Sequence, residues 1–289
     1  MVAARARQYR ERVRGEAVTE AIREWYASAP KEWRDCWCGY DDEGPIYAHE
    51  DRHGVPLELI VCARCSTVRV SDYLSNDAID DFYATKYRAL FDGEGPDAIY
   101  DRQLNQGRAL RVLLGIGDVE TVIDFGSGAG GLLDAFPDSR TIGVEPGEYA
   151  HHGVNRHGSK ATIIPSASFG WLAGCADYVF AIHTLEHRVD LGFAFHQHAA
   201  LLKPTGRLVV EIPSLANFAK DYGTLSRYLQ VPHYWQFTAS TLIDAARHSG
   251  LTPTRIGKPE GLVEFGLSSE LGSESEELLK SGGATKRAR

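Results

Sequence analysis

The chain has 289 residues, of which 43% are hydrophobic and 24% are charged, a composition typical of a globular protein with a sizeable core. Its 31 Lys and Arg against 39 Asp and Glu leave a net charge of −8, which disfavours a protein that mainly neutralises nucleic-acid phosphates. No run approaches the roughly 18 apolar residues of a membrane helix, and no secretory apolar run follows the early arginines. We therefore expect a cytoplasmic protein without a membrane partner.

The first 35 residues are predicted to form an N-terminal helical segment. Apolar residues recur at helical spacing within 8–27, namely Val18, Ile22 and Trp25. Pro30 ends the pattern, because proline cannot continue a helix from its interior.

Four of the five cysteines lie in two close pairs within the segment 36–70. The pairs are Cys36 with Cys38, and Cys62 with Cys65. In a reducing compartment, clustered cysteines more often bind metal than form disulfides. Four thiolates would hold a tetrahedral zinc ion and leave no position for water, so we predict a structural zinc module. The first pair is one residue short of the usual spacing, so His49 or His53 could replace one of its cysteines as a ligand. The competing interpretation is that the cysteines are buried free thiols.

An acidic and aromatic linker, 71–100, follows the cysteine segment. Its aromatic residues include Phe82, Tyr83 and Tyr87, and a Gly-Glu-Gly-Pro break follows at 93–96. We predict that this linker acts as a lid between the two parts of the chain.

The second part of the chain, 101–267, alternates between helical segments and short apolar strands. Helices are predicted over 101–115, 190–202 and 239–249, and strands over 121–124, 141–144, 161–164, 177–182, 207–212, 252–257 and 261–267. Strands separated by helices indicate an α/β fold with a doubly wound, mostly parallel sheet of seven strands. The tail, 268–289, is rich in Ser, Glu and Gly and then basic, and is predicted to be loosely ordered.

A glycine-rich turn after the first of these strands predicts a cofactor site. Gly126, Gly128 and Gly130 let the backbone approach a ligand closely and turn into a helix. Glu145 ends the next strand, where a carboxylate can bind both hydroxyls of a ribose. The turn also satisfies the dinucleotide fingerprint, but Asp124 would repel a pyrophosphate and attract an ammonium or sulfonium group. The pattern therefore favours S-adenosylmethionine over a nicotinamide cofactor.

Residues 100–257 resemble the class I S-adenosylmethionine-dependent methyltransferases. The resemblance rests on Val122-Ile-Asp-Phe-Gly-Ser-Gly-Ala-Gly130, Gly143-Val-Glu-Pro146, Ala181-Ile-His-Thr-Leu-Glu-His187 and Leu201-Leu-Lys-Pro-Thr-Gly-Arg-Leu-Val-Val-Glu-Ile-Pro213. It implies that Asp124 and the three glycines line the methionine portion of the cofactor.

The same resemblance implies further contacts. Glu145 and Pro146 would border the ribose, and His183 would border both the cofactor and the acceptor. The segment after the third strand lacks the acid that often faces the adenine amino group, which leaves Ser166 as the candidate adenine contact.

The cysteine module ahead of this domain resembles that of the sugar C-methyltransferases of deoxysugar biosynthesis and their zinc-module relatives. The resemblance implies that Tyr83 and Tyr87 cover the cofactor and that the acceptor is a small sugar or sugar-nucleotide. Two departures weaken the C-methyl and sugar-nucleotide assignment. The chain has no room for the extra C-terminal domain of those enzymes, and their His-Glu-His signature stands here as Val231-Pro-His233.

Histidine is the expected general base for a hydroxyl or acidic C–H acceptor, because it titrates near neutral pH. His233 is favoured because the zinc-module relatives keep their base there. His187, with Glu186 beside it, is the second candidate, since it follows the fourth strand at the carboxyl edge of the sheet. The remaining histidines, including His152 and His157, show no metal-like spacing.

The leading interpretation is therefore a methyltransferase acting on a small, sugar-like acceptor through oxygen or carbon. Methylation of another metabolite or of RNA is an alternative, as are a nicotinamide-dependent oxidoreductase and a non-catalytic zinc adaptor that keeps the cofactor fold. The sequence leaves the acceptor, the methylated atom and the oligomeric state open.

Overall fold

The structure, a computed structural model, describes residues 16–41, 44–87, 90, 95–147, 149–164, 170–257 and 261–268. Four predictions fall at least partly outside these residues: the start of the N-terminal helix, the linker 71–100 with its break at 93–96, Ser166, and the tail beyond residue 268. None of the helices in the described ranges combines the length and apolar character that a membrane crossing requires.

The N-terminal part of the chain contains short antiparallel strands between two helices. In chain order these elements are helix α1 (16–28), β1 (Lys31–Trp33), β2 (Ile46–Glu50), β3 (Pro56–Val61), β4 (Val68–Val70), β5 (Asp72–Leu74) and helix α2 (Asn76–Thr85). Strands β2, β3 and β4 form one antiparallel sheet, while β1 pairs separately with β5.

The second part of the chain builds the predicted sheet. Its elements are helix α3 (Pro96–Leu114), β6 (Thr121–Phe125), β7 (Arg140–Val144), helix α4 (His152–His157), β8 (Thr162–Ile164), β9 (Ala176–Ile182), helix α5 (Leu191–Leu201), β10 (Leu202–Glu211), helices α6 (Phe218–Asp221) and α7 (Leu225–Tyr228), β11 (Trp235–Gln236), helix α8 (Ala239–His248), β12 (Leu251–Ile256) and β13 (Leu262–Leu267).

The seven strands follow the order β12-β13-β10-β9-β6-β7-β8, which confirms the predicted fold class. The strands β10, β9, β6, β7 and β8 run parallel, and β13 is antiparallel to both of its neighbours. Every residue of β6 is buried, as expected for a central parallel strand covered on both faces. The carboxyl ends of β6, β7, β9 and β10 consequently meet at one edge of the sheet.

The structure differs from the prediction directly after the glycine-rich turn, where the sequence predicts a regular helix. The chain forms only a 3-10 helix there, Gly131–Ala135. Pro137 limits the length of this helix, because a proline disfavours helical backbone at the residue before it, Phe136. The helix predicted over 101–115 begins earlier, with Pro96 in its first turn, where a missing N–H costs nothing.

Strand β11 joins the N-terminal sheet, a pairing absent from the sequence-based prediction. Trp235 pairs with Arg69 and Gln236 with Val68, so the four-stranded sheet has the order β11-β4-β3-β2. The segment that carries His233 is therefore anchored to the part of the chain that contains the cysteines.

Candidate active site and cysteine cluster

The glycine turn, residues 126–131, follows β6 at the carboxyl edge of the sheet. Gly126, Gly128 and Gly130 have φ angles of +75°, +52° and +85°, in the left-handed region that other residues rarely adopt. A Cβ atom at Gly126 would lie 2.5 Å from Thr184 Oγ1, so the turn packs directly against the segment after β9. Close approach and left-handed backbone together explain why glycine stands here.

Two carboxylates flank the glycine turn. Glu145 accepts hydrogen bonds from the N–H of Gly128 at 2.9 Å and from the N–H of Gly147 at 2.6 Å, which fixes its position. Asp124 is buried, and burial followed by the charge of Glu145 raises its pKa well above the usual range. A cationic ligand group would relieve this repulsion, whereas a phosphate would increase it. Pro146 is exposed beside Glu145.

Gln103 on α3 also contacts the glycine turn and was not predicted. Its Nε2 donates to the carbonyl of Ser127 at 3.0 Å, and its Oε1 accepts from the N–H of Gly131 at 3.3 Å. The sequence signal was only a polar residue on a predicted helix. Nothing in that pattern indicates that the helix lies along the turn.

The histidine cluster, formed by Glu186, His187 and His233, includes two residues of the segment after β9. Glu186 and His187 belong to the 3-10 turn Leu185–His187, and His233 lies two residues before β11. The rings of His187 and His233 meet edge to face, with centroids 4.5 Å apart. One polar atom from each of the three side chains lies within 4.8 Å of the others. The N–H of Tyr234 donates to the carbonyl of Glu186 at 2.8 Å, which joins the two segments.

His183 lies between two carboxylates directly after β9. Its Nδ1 is 3.6 Å from Glu186 Oε1, and its Nε2 is 3.5 Å from Glu211 Oε1. Burial disfavours its charge, but pairing with the carboxylates of Glu186 and Glu211 outweighs burial and raises the pKa of His183 to about 10. Glu186 is 1% exposed, and neither of its carboxylate oxygens has a hydrogen-bond partner among the described residues. The two carboxylates therefore favour the cationic form of His183.

Glu211 is a second site residue that was not predicted. It ends β10, and Gln106 Nε2 on α3 donates to its Oε2 at 3.2 Å. Burial alone would raise the pKa of Glu211, but the pairing with His183 lowers it. An acid at the carboxyl end of a predicted parallel strand was the signal that could have identified it.

The two histidines of the cluster are held in their neutral form. Burial lowers the pKa of His233 well below 6.5, and the neighbouring side chains of His187, His183 and Arg52 lower it further. Burial also lowers the pKa of His187, although Glu186 opposes the shift. Among the described residues, no group hydrogen-bonds the ring of His233. His233 is thus a neutral imidazole with an available lone pair, which is what a general base requires.

The predicted lid residues contact the histidine cluster. Tyr83, on α2, has its hydroxyl 3.1 Å from His187 Nδ1, and the ring of Tyr87 lies 5.2 Å from that of Tyr83. Tyr234 and Trp235 are almost fully buried, and Tyr234 stacks on Tyr73. The exposed aromatic ring next to the cluster is that of Tyr83.

A family model described as a methyltransferase domain matches residues 98–256, more than half of the chain. The chain belongs to this methyltransferase family. The match covers six of the seven strands of the sheet, the glycine turn and the histidine cluster, and it confirms the class I assignment of the second part of the chain.

Individual relatives are more distant from this methyltransferase. The curated C-methyltransferase NovU of Streptomyces niveus is 26% identical over 207 residues, which cover 64% of this chain and 48% of NovU. The chain thus spans about half the length of that relative. Among solved structures, the mitomycin 7-O-methyltransferase MmcR superposes with a TM-score of 0.52 at 21% identity, covering 66% of this chain and 60% of MmcR, and so shares the fold.

A further solved structure with a likeness to the methyltransferase is the 1,6-didemethyltoxoflavin-N1-methyltransferase of Burkholderia thailandensis. It aligns with a TM-score of 0.47 at 17% identity, covering 72% of this chain and 97% of that one.

The four paired cysteines of the methyltransferase converge in space. The Sγ atoms are 3.5 Å apart for Cys36 and Cys65, and 3.7 Å apart for Cys38 and Cys62. A tetrahedral zinc ion about 2.3 Å from each thiolate would hold the sulfurs about 3.8 Å apart. The thiol donor set and its spacing therefore fit a zinc ion.

The alternative histidine ligands lie outside this group. Among the described residues, the convergent set contains the four cysteines alone. His49 lies on β2. His53 lies in the turn between β2 and β3, where its backbone N–H donates to Asp51 Oδ1 at 2.8 Å.

Proposed function

We propose that this protein transfers a methyl group from S-adenosylmethionine to a small acceptor. The observation that carries the proposal is the position of the segment from His183 to His187. A Cβ atom added at Gly126 would lie 2.5 Å from Thr184 Oγ1, so Thr184 packs against the glycine turn. The ring of His187, three residues later, contacts the ring of His233. A cofactor at the glycine turn and an acceptor at the histidine cluster would be neighbours, as methyl transfer requires.

The glycine turn and its two carboxylates fit S-adenosylmethionine. Asp124 would balance the ammonium group, and Glu145 would bind the ribose hydroxyls, with Pro146 beside them. The methionine portion would border Gly126, Gly128 and Gly130. When bound, the cofactor supplies an electrophilic methyl group. The raised pKa of Asp124 supports this fit, because a cation at that position would stabilise the charged carboxylate.

His233 is the proposed general base. Its neutral imidazole would take the proton from a hydroxyl or an acidic C–H as that oxygen or carbon attacks the methyl group. His187 is the second candidate, but its Nδ1 already lies 3.1 Å from the Tyr83 hydroxyl. Glu186 would position the cluster through its ion pair with His183, which would border the cofactor.

A small, sugar-like acceptor is the proposed substrate class. The similarity to NovU, which is named a C-methyltransferase, supports transfer to a small molecule. Tyr83 and Tyr87 offer aromatic faces beside the histidine cluster, and such faces pack well against the apolar side of a sugar ring. The same two tyrosines would cover the cofactor when the lid is in place.

A structural zinc ion is proposed for the four-cysteine group. Cys36, Cys38, Cys62 and Cys65 would be its ligands, on the basis of the sulfur spacing. Its role would be to order a segment that is too short to build a sufficient core on its own.

A labelled-methyl transfer screen tests the proposed function. The full chain is incubated with methyl-labelled S-adenosylmethionine and with nucleotide sugars, free glycans or RNA, and the His233→Ala variant serves as the control. Label in the sugar fractions, lost in the variant, supports the proposal. Label only in RNA would overturn the acceptor class. Cofactor binding without transfer to any acceptor would indicate the non-catalytic adaptor.

A further inference from the structure

A second group of metal-ligating side chains lies on helices α3 and α4, apart from both the cysteines and the histidine cluster. Asp97 stands in the first turn of α3, while His152 and His157 occupy the two ends of α4. The Nε2 atoms of both histidines point at the same carboxylate oxygen, Asp97 Oδ1, at 2.8 and 3.1 Å. Two imidazoles from one helix and a carboxylate from another thus converge on one point.

The surrounding contacts hold the histidine rings in this orientation. The ring of His157 stacks on that of Tyr100, with centroids 3.8 Å apart and planes 5° from parallel. Tyr100 is buried, and its hydroxyl donates to Asp134. His152 packs against His157 with ring centroids 5.4 Å apart. Because the rings are held by packing, a ligand would find them already oriented.

We propose that Asp97, His152 and His157 bind a divalent transition-metal ion of the zinc class. Neutral imidazole nitrogens with one carboxylate oxygen form a donor set that suits zinc, and water would complete a tetrahedral site. Ligand atoms about 2.0–2.1 Å from such an ion lie about 3.3–3.4 Å from one another. The observed distances from Asp97 Oδ1 to the two histidine Nε2 atoms are a few tenths of an ångström shorter. Small rotations of these side chains would make room for an ion between the three ligand atoms.

The same ion would connect the two helices that flank the glycine turn. Gln103, six residues after Asp97 on α3, bonds the carbonyl of Ser127. On α4, the N–H of Gly153 donates to the carbonyl of Ala129 at 2.9 Å. A metal at the ends of these helices would stiffen the contact between them.

Zinc stoichiometry tests the site independently of the other two clusters. The full chain, His157→Gln, Asp97→Asn and the control His151→Gln are equilibrated with the same buffered free zinc, and bound zinc per chain is measured by elemental analysis. His151 precedes α4 and is exposed, and it lies outside the ligand group. We expect both ligand variants to bind one zinc fewer than the wild type and the control, whatever the cysteines hold.

The affinity and the ligand atoms give a second readout. Changing groups that only support a metal ligand costs about 10–100-fold in affinity, so losing a ligand should weaken zinc binding by more than about 100-fold. Zinc-edge X-ray absorption should assign nitrogen and oxygen neighbours near 2.0 Å to the extra ion, in contrast to sulfur near 2.3 Å. Equal zinc content in all four proteins, or sulfur neighbours alone, would overturn the proposal.

Discussion

The glycine turn and the histidine cluster are joined by residues 183–187, yet they are built in different ways. The glycine turn is one stretch of backbone whose left-handed angles follow from local sequence, with Glu145 directly after the adjacent strand β7. The histidine cluster is made of the buried Glu186 and His233 and the half-buried His187, which come from the 3-10 turn after β9 and from the segment before β11. A ligand at the turn would be held by the backbone and by the charges of Asp124 and Glu145. Chemistry at the cluster would depend on the protonation of its histidines and on the pairing of β11 with β4. Variants of the two regions should therefore change cofactor binding and turnover separately.

The largest effect is expected from His233→Ala. Removing the proposed base should lower turnover by about 10²-fold or more, while the dissociation constant of S-adenosylmethionine stays unchanged. Steady-state kinetics and titration calorimetry measure the two quantities. His151→Ala, an exposed histidine outside the cluster, is the control. Near-normal turnover of His233→Ala would reject this residue as the base, and loss of turnover in His187→Ala alone would assign the role to His187.

Loss of the zinc ion proposed for the four cysteines should affect the histidine cluster more than the glycine turn. Strand β4, close to the cysteines in sequence, pairs with β11, which follows His233. A displacement of about 1 Å at the cluster can reduce turnover by about 10²-fold. No strand pairing of this kind joins the described residues of the glycine turn to the cysteine segment. Elemental analysis should show that a Cys38→Ser variant loses the zinc of the cysteine group, and this variant should lose more turnover than cofactor affinity. Equal loss of both would show that zinc supports the whole fold.

A smaller effect is expected when Asp124 is changed. A hydrogen bond to a charged group contributes roughly 1.5–3 kcal/mol, so Asp124→Asn should weaken S-adenosylmethionine binding by about 10–100-fold. Turnover at saturating cofactor should change much less. Asp138→Asn, on the exposed loop after the 3-10 helix, is the matched control. Unchanged calorimetric affinity of Asp124→Asn would refute the pairing between this carboxylate and the ammonium group.

The smallest effect is expected from pH. Because the pKa of His233 lies well below 6.5, its neutral form persists as pH falls through 6.5, and turnover is lost only at lower pH. An ordinary histidine base would lose about half of its activity at pH 6.5. The charge of His183, with its pKa of about 10, persists across the same range. A pH profile of turnover that already halves at pH 6.5 would contradict the buried, neutral state of His233.

The fold class and the glycine turn could be predicted from sequence because their signals are local. The alternation of strands and helices, three glycines that require left-handed backbone, and an acid at the end of the next strand are all properties of short segments. The helix predicted after the turn is only a short 3-10 helix that ends before Pro137. A proline disfavours helical backbone at the preceding residue, and this signal is present in the sequence.

The contacts that unite the site were set by tertiary structure. Gln103 is a polar residue without a motif, and only the packing of α3 brings it to the glycine turn. Glu211 ends a predicted strand, and only the pairing of β10 with β9 brings it to His183. The β4–β11 pairing joins positions more than a hundred residues apart through two residue pairs, too short a strand to predict from pattern.

By itself, the sequence determined the sheet, the turn, the paired cysteines and the identity of the histidines, because periodicity and glycine backbone preferences act over a few residues. Only the tertiary structure decided which histidine is buried, which carries charge and which carboxylate stands beside it. Those properties depend on desolvation and on distances between separate segments, as in the neutral His233 and the cationic His183.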